Sequence, residues 1–381
     1  MSSPAPEARI VVAGGHSAGH IEPAMNFADA VRRLDPSADI LALGTERGLD
    51  TTLIPARGYR LELIPPVPLS RKLDRALLST PRRLRDAVAA AGAALERDRA
   101  EVVVGFGGYV AMPSYLAARR RGIPIVLHEA NARAGVANRA AARLTTHVFT
   151  ASASVRLPHA VPIGIPIRPA IATLDRAALR AEARARFGLD PAGPVLLVTG
   201  GSQGARAINW AVAGAASGLR DAGVQVLHIV GPDNTVDVPA GAPHDAATGV
   251  PPYVVVPYVD EMHYAYAAAD FVVCRSGAMT CAELTAVGLP AAYVPLPLRG
   301  GEQRHNALPI VAAGGGLLVA DADLNPRWVL DHVVPRITDP VTLATMSQAA
   351  GSAGARNADV VLAQHVLAVV AEHRRFPGGV R

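Results

Sequence analysis

Aromatic side chains are scarce in this chain: phenylalanine, tryptophan and tyrosine together make up 4% of its 381 residues. Nucleic-acid surfaces interleave basic residues with stacking rings, and neither that pattern nor a nucleic-acid motif occurs, which disfavours that class of partner. Cysteine is rarer still. Cys274 and Cys281 stand seven apart with no histidine at metal-ligand spacing, so they read as free thiols of a reducing compartment. Half of the residues are hydrophobic, yet no unbroken apolar run reaches the roughly 18 residues that cross a bilayer. The opening MSSPAPEAR lacks the basic and apolar regions of a secretory signal, and a soluble cytoplasmic protein is expected. The lone DxD, Asp321-Ala322-Asp323, follows an apolar run without further ligands; it reads as a surface turn, and no metal is expected.

What is present is arginine, unevenly spread. Residues 1–168 hold 22 Arg/Lys against 14 Asp/Glu, a net +8, and the remainder 15 against 18, a net −3; lysine occurs once, at Lys72. The first part therefore suits an anionic surface or substrate, although arginine-rich usage also follows from genomic base composition. The chain is long enough for two domains. Short β-forming runs alternate with helical patterns throughout: Ile10 to Ala13, Ile40 to Leu43, Val102 to Val104, Ile123 to Leu127, Val148 to Thr150, Val195 to Thr199, Val224 to Val230, Phe271 to Cys274 and Ala291 to Val294. This is the βαβ order of parallel α/β sheets. Thr80-Pro81 predicts an N-cap and first helical residue, followed by an apolar stripe at Leu84, Val88, Ala91 and Leu95. The proline-rich VPIGIPIRPAI, residues 161–171, marks the boundary between domains 1–166 and 167–355.

Three strand-to-helix junctions are rich in glycine. IVVAGGHSAGHIEP (10–23) runs from a strand through Gly14-Gly15 into a helix expected to open near Pro23, and VLLVTGGSQGARAIN (195–209) repeats the plan. Such a turn aims backbone N–H groups and a helix dipole at an anion. No Gly-Lys-Ser/Thr closes the first turn into a P-loop, and His16 stands where a dinucleotide fingerprint needs glycine. The third junction, FVVCRSGAMTCAELTAVGLP (271–290), sets Glu283 one helical turn beyond Met279, where a carboxylate can accept from both ribose hydroxyls. These features alone imply two doubly wound units that bind a nucleotide diphosphate, with glycine turns expected to face each other across a cleft.

The runs AGHIEPA, ALGTERGLD, GFGGYVAMPSYLAA, HEANARAGVANR, GIPIRP, GGSQGARAIN, PYVDEM, CRSGAMTCAEL and GEQRHNALP, spread over nearly the whole chain, resemble the MurG-type UDP-N-acetylglucosamine transferases of peptidoglycan synthesis. The resemblance implies a GT-B fold and an inverting, hexosyl-transferring enzyme. It would move GlcNAc from UDP-GlcNAc to the MurNAc 4-hydroxyl of undecaprenyl-linked lipid I, giving lipid II. It also implies a peripheral place on the cytoplasmic side of the cell membrane and a C-terminal tail, about 356–381, that crosses back to the first domain. Carried over residue by residue, the donor site falls on Ser17, Ala18, Gly19, Asn131, Arg168, Ser202, Val259, Ala278, Met279, Thr280, Glu283 and Gln303. Backbone N–H groups near Ser202 and Met279 would take the diphosphate, Glu283 the ribose, Asn131 and Gln303 the sugar hydroxyls, and Val259 would border the uracil. A dipole end and Arg168 would steady the leaving UDP without a metal or cofactor.

Within that resemblance His20 is the expected base, its imidazole kept neutral by the helix N-terminus. A histidine that merely caps the turn is the competing reading. Glu129 is a second candidate base or the partner of His20, and Tyr109 and Asn138 are expected to shape the acceptor pocket. His16 and Ser17 depart from the family's usual glycine and threonine, and His305 beside Gln303 is a second unusual histidine; both bear on acceptor choice and rate. Residues 65–86 mix leucines with Arg71, Lys72, Arg75, Arg82, Arg83 and Arg85, which suits an anionic membrane surface and equally an ordinary solvated helix. Three other functions compete with lipid II synthesis: a UDP-GlcNAc 2-epimerase on the same architecture, a MurG-like binding protein disabled by His16, and, for want of the nicotinamide fingerprint, more weakly a dehydrogenase.

Overall fold

A computed structural model describes residues 7–67, 75–238, 249–297 and 300–376, with the side chains of 75–80 left out. The chain divides into two compact units, one formed by the residues up to 167 together with those from 356 onward, the other by 168–355. The first unit begins with β1 (Arg9–Gly14), α1 (Ala18–Leu34), β2 (Asp39–Gly44), α2 (Asp50–Ala56), β3 (Arg60–Leu63) and α3 (Arg75–Arg97). It continues through β4 (Val102–Gly107), α4 (Ala111–Arg121), β5 (Ile125–Glu129), α5 (Val136–Ala141), β6 (His147–Thr150) and β7 (Ala160–Pro162). Every strand pairing is parallel, in the order β3-β2-β1-β4-β5-β6-β7. The order reverses between β1 and β4, so the loops that follow these two strands flank the switch point where doubly wound sheets hold ligands.

The second unit comprises α6 (Pro169–Ala172), α7 (Arg176–Arg186), β8 (Val195–Thr199), α8 (Arg206–Gly214), α9 (Ala216–Asp221), β9 (Gln225–Ile229), β10 (Tyr253–Val256) and α10 (Met262–Ala268). After these come β11 (Phe271–Cys274), α11 (Ala278–Ala286), β12 (Ala291–Tyr293), α12 (Glu302–Ala312), β13 (Gly316–Leu318), α13 (Pro326–His332), α14 (Val334–Thr338) and α15 (Pro340–Ser352). Its parallel order β10-β9-β8-β11-β12-β13 repeats the same reversal, here between β8 and β11. The last helix, α16 (Ala358–Arg375), packs on α1 in the first unit, burying Leu362, Val366, Val369 and Val370. Arg33 of α1 pairs with the buried Asp359, and His365 of α16 meets His147 of β6 at 3.0 Å.

Four short strands lie outside the expected runs: β3 reads RLEL, β7 contains Pro162, β10 reads YVVV and β13 reads GLL, and all four are edge strands. Edge strands bury little and tolerate proline, which weakens their pattern. Two helix starts differ from expectation. The first opens at Ala18, with Pro23 inside it, and α3 opens at Arg75, so Pro81 is interior and Thr80 is no cap. The proline-rich boundary segment is held by the first unit up to residue 167. Asn26 Nδ2 donates to the Pro166 carbonyl at 3.0 Å, His128 Nε2 meets the Gly164 carbonyl at 2.7 Å, and Ile165 and Ile167 are buried.

Candidate active site

In the first unit, the turn after β1 is built around two histidines and one aspartate. Ser17 is the N-cap of α1, but its hydroxyl does not cap a backbone amide. It meets Nδ1 of His20, the third helical residue, at 3.0 Å. The opposite edge of the imidazole lies against Gly107 at the end of β4, where a Cβ would sit 3.0 Å from Cδ2 and 3.2 Å from Nε2. Gly107 also has φ +92°, so glycine is required there twice over. Burial is the main force that lowers the His20 pKa, and the charge of His16 lowers it further. The neutral imidazole expected of a base is thus favoured by desolvation.

His16 adopts φ +77°, a left-handed conformation that costs a side-chain-bearing residue about 1 kcal/mol or more. Its amide donates to both oxygens of the buried Asp50, at 3.0 and 2.9 Å, and Asp50 also accepts from Thr45. No Cβ fits at Gly15, because it would lie 2.4 Å from Asp50 Oδ1. The amide at position 16 is therefore already satisfied internally, and the anion-binding capacity of the turn passes to the first residues of α1, Ala18 and Gly19. Gly19 is exposed and Ala18 partly so. Tyr109, expected in an acceptor pocket, sets its ring edgewise to His16 at 4.9 Å.

Glu129 ends β5 and is buried, which pushes its pKa up; hydrogen bonds from the following loop oppose that shift. Its oxygens accept from the Asn131 and Gly135 amides at 2.9 and 3.0 Å and from Asn138 Nδ2 at 3.0 Å. Asn138 in turn accepts from Tyr115 at 2.8 Å and is buried. These bonds correct two expectations: the ring partner of His20 is Ser17 rather than Glu129, and Asn138 is an internal brace rather than an acceptor-facing group. Both side chains hold the loop that carries Asn131.

In the second unit, the turn after β8 is shaped by Gly201 and Gly204, with φ +85° and +72°. A Cβ at Gly204 would strike the Val230 carbonyl at 2.0 Å, and Asn234 ties the Gln203 carbonyl at 3.0 Å. Ser202 stands exposed at the tip. Across the switch point, α11 starts after Gly277, with Ala278, Met279 and Thr280 partly exposed in its first turn. Ser276, just before it, is fully buried, and among the described residues its hydroxyl has no partner. Glu283 accepts from the buried Tyr266 hydroxyl at 2.7 Å, a contact that orients the carboxylate.

Gln303 lies in the first turn of α12 and accepts from the Leu296 amide at 2.9 Å. His305 folds back onto the Gly301 carbonyl at 2.7 Å, as part of the helix start. Asn306 reaches the Ser276 carbonyl at 3.3 Å, linking α12 to the start of α11. Val259 is partly buried in the loop between β10 and α10, and Arg168 is the N-cap of α6. Asp321 pairs with Arg275, in keeping with a structural turn. The second unit thus gathers Ser202, Val259, the start of α11 and Gln303 on the loops that follow β8, β10, β11 and β12. Sequence reasoning did not single out Asp50, Tyr115 or Tyr266; the position of Asp50, just past the β2 turn in ALGTERGLD, was its only local signal.

Residues 10–150 match the family described as glycosyltransferase family 28 N-terminal domain, and residues 195–363 match the family 28 C-terminal domain. Over 366 residues the chain is 57% identical to a UDP-N-acetylglucosamine--N-acetylmuramyl-(pentapeptide) pyrophosphoryl-undecaprenol N-acetylglucosamine transferase of Streptomyces avermitilis, covering 96% of this chain and 99% of that one. It is 54% identical over 369 residues to the protein of the same name from Thermobifida fusca, covering 97% and 96%. Among solved structures it resembles Acinetobacter baumannii MurG, with a TM-score of 0.76 at 24% identity, over 96% of this chain and 100% of that one. The UDP-GlcNAc 2-epimerase of Neisseria meningitidis, bound to UDP-GlcNAc, gives a TM-score of 0.65 at 13% identity, over 94% and 100%. At such identities these two likenesses speak for the fold alone, which is the α/β GT-B class with two Rossmann-like units.

Proposed function

The chain belongs to glycosyltransferase family 28, in its MurG branch, and from that premise we propose how its residues divide the work of GlcNAc transfer from UDP-GlcNAc to lipid I. The MurNAc 4-hydroxyl attacks the anomeric carbon, the bond from that carbon to the UDP oxygen breaks, and the hydroxyl proton passes to His20 Nε2. Attack from the face opposite UDP inverts the configuration. For Nε2 to accept the proton, Nδ1 must carry its own and donate it to Ser17 Oγ. The single observation that carries this role is the Ser17–His20 contact, on a ring whose pKa burial lowers.

On the donor side, the amides that open α11 and the exposed tip at Ser202 are suited to the diphosphate. Arg168 and the α11 dipole offset the charge that builds on UDP as it leaves, a part that elsewhere falls to a metal. Glu283, oriented by Tyr266, takes the ribose; Asn131 and Gln303 take sugar hydroxyls; Val259 borders the base. The lipid-linked acceptor places the enzyme at the cytoplasmic face of the membrane, with the basic segment 65–86 against anionic lipid. Exposed Arg82, Arg83 and Arg85 on α3 support that reading, whereas Arg71, Lys72, Arg75 and the leucines before Thr80 lie outside the described side chains. Among the described residues no helix is long and apolar enough to cross a membrane.

The test is UDP release with and without a short-chain lipid I analogue. The expected result is release that depends on the analogue, with His20→Ala lowering kcat roughly 10²-fold or more and leaving UDP-GlcNAc affinity nearly intact. Formation of UDP-ManNAc from UDP-GlcNAc alone would establish the epimerase instead, and substrate binding without any product would establish a disabled relative.

A further inference from the structure

We propose that Tyr266 and Arg176 are positioning residues for the sugar of the bound nucleotide: the Tyr266 hydroxyl fixes the Glu283 carboxylate and Arg176 fixes Tyr266, so that the second unit tells ribose from 2′-deoxyribose. The inference rests on the reading above, in which Glu283 takes the ribose, and adds the two residues that stand behind it. A carboxylate that accepts from both ribose hydroxyls must present its plane to the diol. A glutamate side chain turns about three bonds, the last with only a broad torsional preference, and does not hold one plane by itself. Glu283 stands on α11, partly exposed, and the hydroxyl of the buried Tyr266 donates to its Oε2 at 2.7 Å. Burial, and then the charge of Glu283, push the Tyr266 pKa well above its ordinary value. The hydroxyl therefore keeps its hydrogen and gives it to the carboxylate.

Tyr266 is itself held from behind. The last carbonyls of a helix have no partner within it. At the end of α10 the Tyr266 carbonyl accepts from Arg176 Nε at 3.1 Å and the Ala269 carbonyl from Arg176 Nη2 at 2.5 Å, while the Gly288 carbonyl, just past α11, accepts from Nη1 at 3.4 Å. One planar guanidinium in the first turn of α7 thus ties the end of the helix that carries Tyr266 to the end of the helix that carries Glu283. Burial lowers the Arg176 pKa to about 10, which still leaves it charged at neutral pH, with the sign that suits helix C-termini. Two further donors complete the clamp: the fully buried Arg184 reaches the Ala268 carbonyl at 3.3 Å, and Ser347 Oγ donates to the Gly288 carbonyl at 2.5 Å. With both helix ends pinned, the carboxylate is ordered when the unit folds rather than when the nucleotide binds, and such preorganisation favours binding.

The test compares the binding of UDP and of 2′-deoxyuridine diphosphate by titration calorimetry. The wild-type chain should prefer UDP by roughly 50-fold, the scale of one hydrogen bond to a charged group. Tyr266→Phe keeps the ring and removes one oxygen; it should bring that preference below about fivefold, chiefly by weakening UDP. Arg176→Lys keeps the charge, loses the fork and should move the preference in the same direction. Should Arg176→Lys fail to fold, as circular dichroism would show, the Tyr266 variants carry the test. In a Glu283→Ala background the added Tyr266→Phe should leave the affinity for UDP where it was, because the tyrosine acts through the carboxylate. A loss there as large as in the wild-type background would mark a merely structural role and overturn the assignment, as would a preference in Tyr266→Phe equal to that of the wild type. A preference lost in Tyr266→Phe, in a chain that makes no lipid II analogue, would sink the transferase reading and keep the assignment. Transfer to the lipid I analogue with the preference unmoved would do the reverse.

Discussion

At the scale of single residues, the chemistry turns on which nitrogen of His20 is free. Ser17 Oγ, 3.0 Å from Nδ1, steadies the ring and can accept the Nδ1 hydrogen of the tautomer that leaves Nε2 free. Ser17→Ala should lower kcat about tenfold with little change in either KM, a smaller loss than removing the ring itself, as steady-state kinetics with the lipid I analogue would show. Because burial lowers the His20 pKa, the base stays neutral to lower pH than an ordinary histidine. The acidic limb of the kcat/KM profile should then fall below 6.5, and a limb above that value would assign it to another group. His20, Glu129 and Glu283 were legible as single letters in the sequence. Their partners were not, because Tyr266 stands 17 positions before Glu283 and no local pattern says that the Ser17 hydroxyl meets the His20 ring.

At the scale of elements, the two misplaced helix starts have one cause. Proline favours the first turn because its missing N–H is not needed there, and both Pro23 and Pro81 invite that reading. In α1 the preceding turn is helical nonetheless: Ile21, Ala24, Met25, Phe27 and Ala28 are all buried, and their packing outweighs the hydrogen bond that Pro23 cannot make. The same core depends on α16, the last helix of the chain. Leu362, fully buried against α1, should cost about 3 kcal/mol when cut to alanine. Urea unfolding should show the loss in the first unit, with the transition of the second unit unmoved. A shift of both transitions, or of neither, would contradict the division of the chain.

At the scale of the whole molecule, each unit buries a histidine that resists protonation. Burial holds both His128, in the first unit, and His228, in the second, at a pKa of about 4, against 6.5 for the ordinary side chain. The unfolded chain takes up these protons as pH falls below 6.5 while the folded units refuse them. The stabilisation is complete above 6.5 and disappears as pH drops through 4, by roughly 3 kcal/mol per group at most. Partly buried His147 and His365, both lowered chiefly by burial, add to the first unit in the same direction. Calorimetry should therefore find Tm falling for both units as pH drops from 6.5 toward 4, and a constant Tm across that window would refute the account.

The linear order of residues by itself determined the alternation of strand and helix, the glycine turns and hence two doubly wound parallel sheets, because periodicity and turn chemistry act over a few neighbours. It also carried the family. Only the tertiary structure decided which groups meet. Asp50 reaches the His16 amide across 34 positions, and Gly107 of β4 makes room for the imidazole of His20. The reason is strand order: β1 lies between β2 and β4, so three turns distant in sequence converge at its end, and no local pattern encodes that neighbourhood.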